Sequence, residues 1–263
     1  MYEAYQVLRM ERRGRVLTVT MDRPPRNASN SVMHRELSTI FRDIARDPET
    51  DIVVLTGAGE SFCAGGDLGE MRARLDNPEI WAGTMREARE IVLGMVELDK
   101  PVVARVNGHA IGLGCTLALL CDFIAAVDTA RIADPHVRIG LAAGDGGAIA
   151  WPISVGFPRA KEFLLTGDAI TAQDAVAMGL INRAVPAAEL DAVAYGFAER
   201  LAAGSQAAIR GTKRAINLLL HQGLRPLVDA QLGIETLTFL GADHRDGVQA
   251  ALEKRAPEFG KTA

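Results

Sequence analysis

The sequence lacks an apolar run long enough to cross a membrane. No stretch reaches the roughly 18 consecutive apolar residues that a membrane-spanning helix needs. The first residues, 1–15, carry charges throughout and lack the apolar core of a secretion signal. We therefore expect a cytoplasmic protein with no membrane partner.

A long block of like charge is also missing. The chain has 29 Lys and Arg residues against 33 Asp and Glu residues, a formal net charge of −4, and both signs are dispersed. Polybasic surfaces that bind nucleic acid or anionic lipid arise from clustered cations. This balance therefore excludes a nucleic-acid partner.

Cysteine is scarce, and the pattern of the three thiols is uninformative for metal or disulfide chemistry. Cys63, Cys115 and Cys121 are odd in number, lie in apolar or turn contexts and form no C-x-x-C pair. Disulfide frameworks and zinc sites need paired cysteines at characteristic spacings. We expect three reduced thiols and no bound metal.

What is present is strand and helix alternation over the first two thirds of the chain. With 263 residues, 48% of them hydrophobic, the chain is long enough for one large domain or a domain with an appendage. Apolar runs predict strands, and helical periodicity lies between them. The predicted strands are residues 16–21, 52–56, 102–106 and 123–127; the predicted helices are 31–46, about 83–97 and 113–120.

This alternation requires right-handed crossovers and a mostly parallel sheet, so the fold class is α/β. From Pro186 onward the apolar spacing is helical, without a convincing strand. We predict an α/β core over residues 1–185 and a helical C-terminal region over residues 186–263.

Two glycine-rich turns follow the predicted buried strands 52–56 and 102–106. Their sequences are Ser61-Phe62-Cys63-Ala64-Gly65-Gly66-Asp67-Leu68 and Asn107-Gly108-His109-Ala110-Ile111-Gly112-Leu113-Gly114-Cys115. Such turns can present unpaired backbone N–H groups at the carboxyl edge of a sheet, where they bind an oxyanion or a phosphate.

Simpler interpretations of the turns stay open. The first is also compatible with a tight turn capped by Asp67, and the glycines of the second with close packing of a helix on the sheet. A dinucleotide fingerprint is not met, because Phe62 stands where the third glycine is required.

The two turns and several further motifs resemble the crotonase superfamily of enoyl-CoA hydratases and isomerases. The further motifs are Arg23-Pro24, Ala133-Asp134-Pro135, Gly140-Leu141, Gly144-x-Gly146-Gly147, Leu165-Thr166-Gly167, Gly179-Leu180-Ile181-Asn182 and Leu252-Glu253-Lys254-Arg255. The resemblance implies the ClpP/crotonase-like fold of repeated ββα units, with C-terminal helices that pack on neighbouring subunits. It also implies a homotrimer or a dimer of trimers, an acyl-CoA substrate, and no permanently bound cofactor, since coenzyme A belongs to the substrate.

The resemblance carries roles onto particular positions. The backbone N–H groups of Gly66 and Leu113 correspond to the oxyanion-hole donors of the family. The positions that correspond to coenzyme A contacts are Ala64, Asp67 and Leu68 near the adenine, and Arg26 and Lys254 at the phosphates. For Arg26 and Lys254, ordinary surface charge is the alternative.

The sequence departs from the family at both catalytic glutamates. Thr116 occupies the first position and His136 the second. A threonine hydroxyl has no useful acid or base strength near neutral pH, so hydration by two carboxylates is not expected. His136 is the candidate general base or acid, with a structural histidine as the alternative.

Asp145 lies nine residues beyond His136, between glycines. As the orienting partner of an imidazole it would fix the tautomer of the ring; capping of the helix that follows is the alternative. The remaining histidines are interpreted as structural or solvated. They are His34, His109, His221 and His244.

Three functions remain compatible with these residues. The first is an enoyl-CoA hydratase/isomerase-family reaction on an acyl-CoA thioester, with His136 and Asp145 as acid and base. The second is hydrolysis of a carbon–carbon bond in a β-diketone, which the combination of His136 and Asp145 resembles in a side branch of the superfamily. The third is acyl-CoA binding without catalysis. We expect residues 71–89, with Trp81, to line or cover the pocket.

Overall fold

A computed structural model describes residues 1–260 of the chain, and these residues form ten strands. The strands are β1 Leu8–Arg13, β2 Val16–Met21, β3 Ile52–Gly57, β4 Ser61–Cys63, β5 Val102–Val106, β6 His109–Ile111, β7 Phe123–Val127, β8 Arg131–Ala133, β9 Ile170–Thr171 and β10 Arg183–Val185.

Six of the strands form the central sheet in the order β1-β2-β3-β5-β7-β10. Strand β1 is antiparallel to β2, and every other neighbouring pair in this sheet is parallel. β3 is buried at all six positions, as expected for a parallel strand covered on both faces. The predicted parallel sheet is confirmed.

Strand β1 was not predicted, and its composition explains the omission. It lies at the edge of the sheet, with Leu8 buried and Arg9, Glu11, Arg12 and Arg13 exposed. Charged edge strands carry little of the apolar signal that identifies a strand in sequence.

A second, smaller sheet has the order β4-β6-β8-β9. Each of the two glycine-rich sequences contains a three-residue strand of this second sheet, β4 in the first and β6 in the second, which precedes the paired or alternating glycines. Asn107, the residue after β5, is hydrogen-bonded to the last residue of β3 and to the first residue of β4. Its Oδ1 accepts from the amide of Gly57, and its Nδ2 donates to the carbonyl oxygen of Ser61. The glycine turns therefore begin at the end of the small sheet.

Ten α-helices surround the sheets over residues 1–260. They are α1 Ser31–Arg46, α2 Leu68–Arg74, α3 Pro78–Glu97, α4 Leu113–Leu119, α5 Gly147–Val155, α6 Phe157–Thr166, α7 Ala172–Ala177, α8 Leu190–Ala202, α9 Gln206–Phe239 and α10 Ala242–Glu253. The helix predicted to start near residue 83 begins five residues earlier, where Asn77 caps it through a hydrogen bond to the amide of Ile80. No helix of these residues is both long and apolar enough to span a bilayer.

Helix α9 positions part of the site. It runs for 34 residues and packs on α3 with a stripe of buried side chains spaced by three and four residues. Leu224, Val228, Leu232 and Phe239 form the apolar part of this stripe, and Glu235 stands among them as a buried acid. Helix α10 then packs against α2 and against a 3-10 turn at His136–Ile139.

Candidate active site

A cavity of about 260 Å³ lies between the two glycine-rich turns, helices α2 and α3, the 3-10 turn and helices α9 and α10. Apolar side chains from α2 and α3, including Met71, Trp81 and Met85, form much of its wall. The expectation that residues 71–89 line the pocket is confirmed for these positions.

Parallel pairing of β4 with β6 brings the two turns together. Cys63 pairs with Ala110, so the residues that follow each strand lie side by side. Gly65 and Gly112 both have positive φ, +83° and +53°, and a Cβ built on Gly65 would lie 2.9 Å from the carbonyl oxygen of Ile111. Side chains are therefore excluded from this contact for both conformational and steric reasons.

The amides of Gly66 and Leu113 are left without an acceptor in the described part of the chain. Ser29 bridges the first turn by donating to Gly65 and accepting from Asp67, which leaves the N–H of Gly66 facing away from this bridge. Leu113 is the first residue of α4, where no intrahelical acceptor exists. Both residues line the cavity, so two free donors from separate loops border one space.

The residues assigned to coenzyme A contacts divide into two groups. Ala64 and Leu68 line the cavity. Asp67 caps α2 by accepting from the amide of Glu70 at 3.1 Å and forms an ion pair with Arg23 at 2.8 Å, so the capping interpretation is correct. Arg26 and Lys254 are exposed and belong to the surface.

His136 lies at the start of the 3-10 turn that follows β8 and has carboxylates at both ring nitrogens. Its Nδ1 is hydrogen-bonded to Oδ1 of Asp134, and its Nε2 lies 3.6 Å from Oδ2 of Asp145. Asp145 does not cap α5, because Gly146 occupies the cap position without a side-chain hydrogen bond. That alternative for Asp145 is wrong.

The surroundings of His136, Asp145 and Glu235 raise the pKa of each, so each of these groups keeps its proton to higher pH than usual. Burial by itself lowers the pKa of His136, but the charges of Asp134 and Asp145 outweigh it and raise the pKa well above its usual value. Burial raises the pKa of Asp145, and the charge of His136 opposes this rise. Burial and the charge of Asp145 raise the pKa of Glu235 well above its usual value.

Glu235 and Asp134 are site residues that the sequence analysis did not single out. Glu235 lines the cavity from α9, and its Oε2 is buried without a hydrogen-bond partner among residues 1–260. A signal for it existed, since an acid in an apolar helical stripe is out of place in a core. Asp134 stood inside a recognised motif, but sequence alone gave no direction for its side chain.

Two of the histidines interpreted as structural or solvated, His34 and His244, are buried and also line the cavity. His34 contacts Oε2 of Glu87 through Nδ1 at 2.7 Å, and Nδ1 of His244 lies 2.8 Å from the carbonyl oxygen of Ile139. Their positions on α1 and α10 place them near His136 only in the folded chain. His109, in contrast, is exposed and accepts from the amide of Arg131.

Thr116 is fully buried on α4, and its hydroxyl has no hydrogen-bond partner within the described chain. The position of the absent glutamate therefore holds a packed side chain. Asp134, His136 and Asp145 offer three atoms within 4.8 Å of one another, a spacing that a metal ion can use. However, the hydrogen bond between Asp134 and His136 is the geometry of groups that share a proton.

The sequence profile of the family described as Enoyl-CoA hydratase/isomerase matches residues 11–262. The chain is 34% identical over 252 residues to 2,3-dehydroadipyl-CoA hydratase of Escherichia coli (strain K12), with 95% of this chain and 97% of that protein covered.

Solved structures of enoyl-CoA hydratases and of a β-diketone hydrolase superpose on this chain. An enoyl-CoA hydratase/isomerase from Mycobacterium paratuberculosis superposes with a TM-score of 0.91 at 37% identity, over 94% of this chain and 99% of that one. A β-diketone hydrolase from the cyanobacterium Anabaena sp. PCC 7120, bound to (S)-3-oxocyclohexyl acetic acid, superposes with a TM-score of 0.85 at 28% identity, over 91% and 96% of the two chains.

Proposed function

Because the chain belongs to the enoyl-CoA hydratase/isomerase family and has the crotonase fold, we propose that this enzyme acts on an acyl-CoA thioester. The N–H groups of Gly66 and Leu113 bind the thioester oxygen and stabilise the charge that develops there. The observation that carries the proposal is the pair of free amides bordering one cavity. Losing one such donor typically raises the barrier by about 2.7 to 4 kcal/mol.

His136 and Asp145 move the protons of the reaction. Nε2 of His136 and Oδ2 of Asp145 face each other at 3.6 Å, and both residues line the cavity. With Thr116 in place of a glutamate, the proton transfers depend on this pair. The chemistry is then a proton shift or a water addition next to a polarised carbonyl, and neither step needs a permanently bound cofactor.

Coenzyme A itself is bound as part of the substrate. Ala64 and Leu68, which line the cavity, contact its adenine end. Asp67, the residue before Leu68 in the sequence, is the third contact at this end. The carbonyl oxygen of Arg26 accepts from the amide of Ala64 at 3.1 Å, and Lys254 lies three residues beyond Ala251, which also lines the cavity. These positions support phosphate contacts by Arg26 and Lys254 at the rim.

Calorimetry tests the substrate class. We expect coenzyme A and crotonyl-CoA to bind, and we expect His136→Ala to retain binding while turnover of an acyl-CoA panel is lost. Absence of binding for both ligands up to millimolar concentration would contradict the proposal.

A second candidate function is hydrolytic cleavage of a β-diketone. Two observations favour it: the pairing of the His136 imidazole with the Asp145 carboxylate in the cavity, and the likeness to the Anabaena β-diketone hydrolase. His136 would take a proton from water, and the hydroxide would add to one ketone carbon. The carbon–carbon bond would then break, giving a carboxylic acid and an enolate that is held by the amides and protonated to a ketone.

A diketone panel separates the candidates. Cleavage that is lost in His136→Ala, together with no response to any acyl-CoA, would select the second function. Acyl-CoA binding with every assayed turnover unchanged in His136→Ala and Asp145→Asn would instead select a binding role without catalysis.

We also propose that the protein forms a homotrimer or a dimer of trimers. Large apolar side chains on α9 are exposed in the single chain, among them Ile216, Leu219, Ile234 and Leu237, with 55% to 74% of their surface accessible. Exposed large apolar side chains that cluster on one helix are typical of subunit contacts. Light scattering should give three or six times the chain mass of 28.1 kDa; a monomer would contradict this.

A further inference from the structure

We infer that Asp134 is the positioning residue for His136, which holds the imidazole with Nδ1–H toward Asp134 and Nε2 toward the cavity, and leaves Asp145 on the substrate side. The inference rests on the proposed use of His136 as acid or base. It reassigns the orienting role that the sequence analysis gave to Asp145.

The contacts of Asp134 suit this role. Its side chain is 1% exposed, and its Oδ1 is hydrogen-bonded to Nδ1 of His136. Its Oδ2 lies against the first residue of α5, where a Cβ built on Gly147 would overlap it. This oxygen has no hydrogen-bond partner among residues 1–260, and it lies at the N-terminus of α5, an end of a helix that favours a nearby negative charge.

The backbone fixes Asp134 relative to the second glycine turn. Ala133, the last residue of β8, pairs with Ile111 of β6, and its carbonyl oxygen accepts from the amide of Gly112 at 2.9 Å. A Cβ built on Gly112 would lie 3.8 Å from Cε1 of His136. The imidazole is therefore held between Asp134 and the turn that carries the amide of Leu113.

Asp145 is placed differently. The 3.6 Å between its Oδ2 and Nε2 of His136 exceeds the range of a formed hydrogen bond. Its side chain is 12% exposed and lines the cavity, whereas that of Asp134 is nearly inaccessible. A group that approaches the substrate must reach the cavity, and a group that orients a ring need not. Asp134 therefore orients the ring, and Asp145 is the carboxylate that can approach the substrate.

The proton bound to Nδ1 decides the question, and nitrogen chemical shifts of ¹⁵N-histidine report it. In the substrate-free wild-type protein we expect neutral His136 to carry its proton on Nδ1. We expect Asp134→Asn to lower the titration midpoint of His136 by about one pH unit or more, because an opposite charge is removed. Asp145→Asn should keep the Nδ1–H tautomer.

Activity gives a second readout. In Asp134→Asn we expect kcat to fall at least tenfold with KM little changed, and the limb of the pH profile that His136 sets, acidic for a base or basic for an acid, to move to lower pH with the titration. Asp229→Asn, whose side chain is 64% exposed on α9, is the matched control and should change neither.

Two results would overturn the inference. One is a neutral wild-type imidazole protonated on Nε2, a measurement that does not depend on any variant folding. The other is a folded Asp134→Asn protein whose His136 titration and pH profile are unchanged. Because the tautomer is measured without substrate, a failure of the acyl-CoA proposal would leave the NMR result intact and the two are distinguished.

Discussion

Trp81 and Phe239 stack with ring centroids 3.7 Å apart and planes 8° from parallel. The indole N–H of Trp81 also donates to the hydroxyl of Thr236 at 3.1 Å. The pair joins α3 to α9, which are separated by more than a hundred residues of sequence, and Trp81 also lines the cavity. We therefore expect substitutions at this contact to change both the stability of the fold and the shape of the cavity wall.

Phe239→Ala should lower the free energy of unfolding by about 3 to 5 kcal/mol, because it removes a buried aromatic side chain and leaves a void. It should also improve the relative turnover of longer acyl chains. Trp81→Phe keeps an aromatic ring in the stack but loses one hydrogen bond and part of a buried indole, so its cost should be smaller than that of Phe239→Ala. Urea unfolding compares the two, and equal losses would contradict the assignment.

Gly65→Ala should reduce kcat by about a hundredfold or more, since a Cβ at this position meets the carbonyl oxygen of Ile111 and displaces the neighbouring amide of Gly66. Gly59→Ala is the matched control: its φ is also positive, +65°, but nothing lies within 4 Å of the added Cβ.

The control variant should lose only about 1 to 2 kcal/mol of stability and keep its kcat. Steady-state kinetics and thermal unfolding on the same samples separate the effects. If both variants retained kcat, the role of this turn in binding the oxyanion would be refuted.

The free energy of unfolding of the Glu235→Gln variant should increase relative to that of the wild-type protein as pH rises. In the unfolded chain the carboxyl ionises near its ordinary pKa of 4.5, whereas burial and Asp145 raise that pKa in the folded protein. The stability that comes from the protonated group is fully present below the unfolded pKa and is lost as pH rises through the folded one.

Glutamine mimics the protonated side chain and does not titrate. The difference in the free energy of unfolding between variant and wild type should therefore grow as pH rises above the unfolded pKa of 4.5, as measured by urea unfolding at each pH. A difference that stays constant over this range would show that Glu235 is ionised in the fold.

Arg26→Ala and Lys254→Ala should each raise KM for an acyl-CoA by a few-fold while leaving kcat unchanged, because exposed ion pairs contribute up to about 1 kcal/mol. Lys161→Ala, another exposed cation, is the control. The effect should shrink at high salt, since screening weakens exposed charge pairs. An unchanged KM in both variants would favour ordinary surface charge.

Much of the fold was predictable because its strands and helices follow from local patterns of apolar residues and from residues that end helices. The β-branched run at 52–56 and the stop at Asp47-Pro48 identified β3 and the end of α1 at Arg46 within one residue. The polar edge strand β1 was not predicted, because pairing with β2, and not its own composition, makes it a strand.

The sequence by itself determined the parallel α/β architecture, the two glycine turns and the presence of an imidazole at position 136 and a carboxylate at position 145. These depend on periodicity, on residues that tolerate positive φ and on the identity of single side chains. Only the tertiary structure decided that Asp134 holds Nδ1 of His136, that Asp145 faces Nε2, and that Glu235 completes the cluster from α9. Directions of side chains and contacts across a hundred residues arise from packing, which no local pattern encodes.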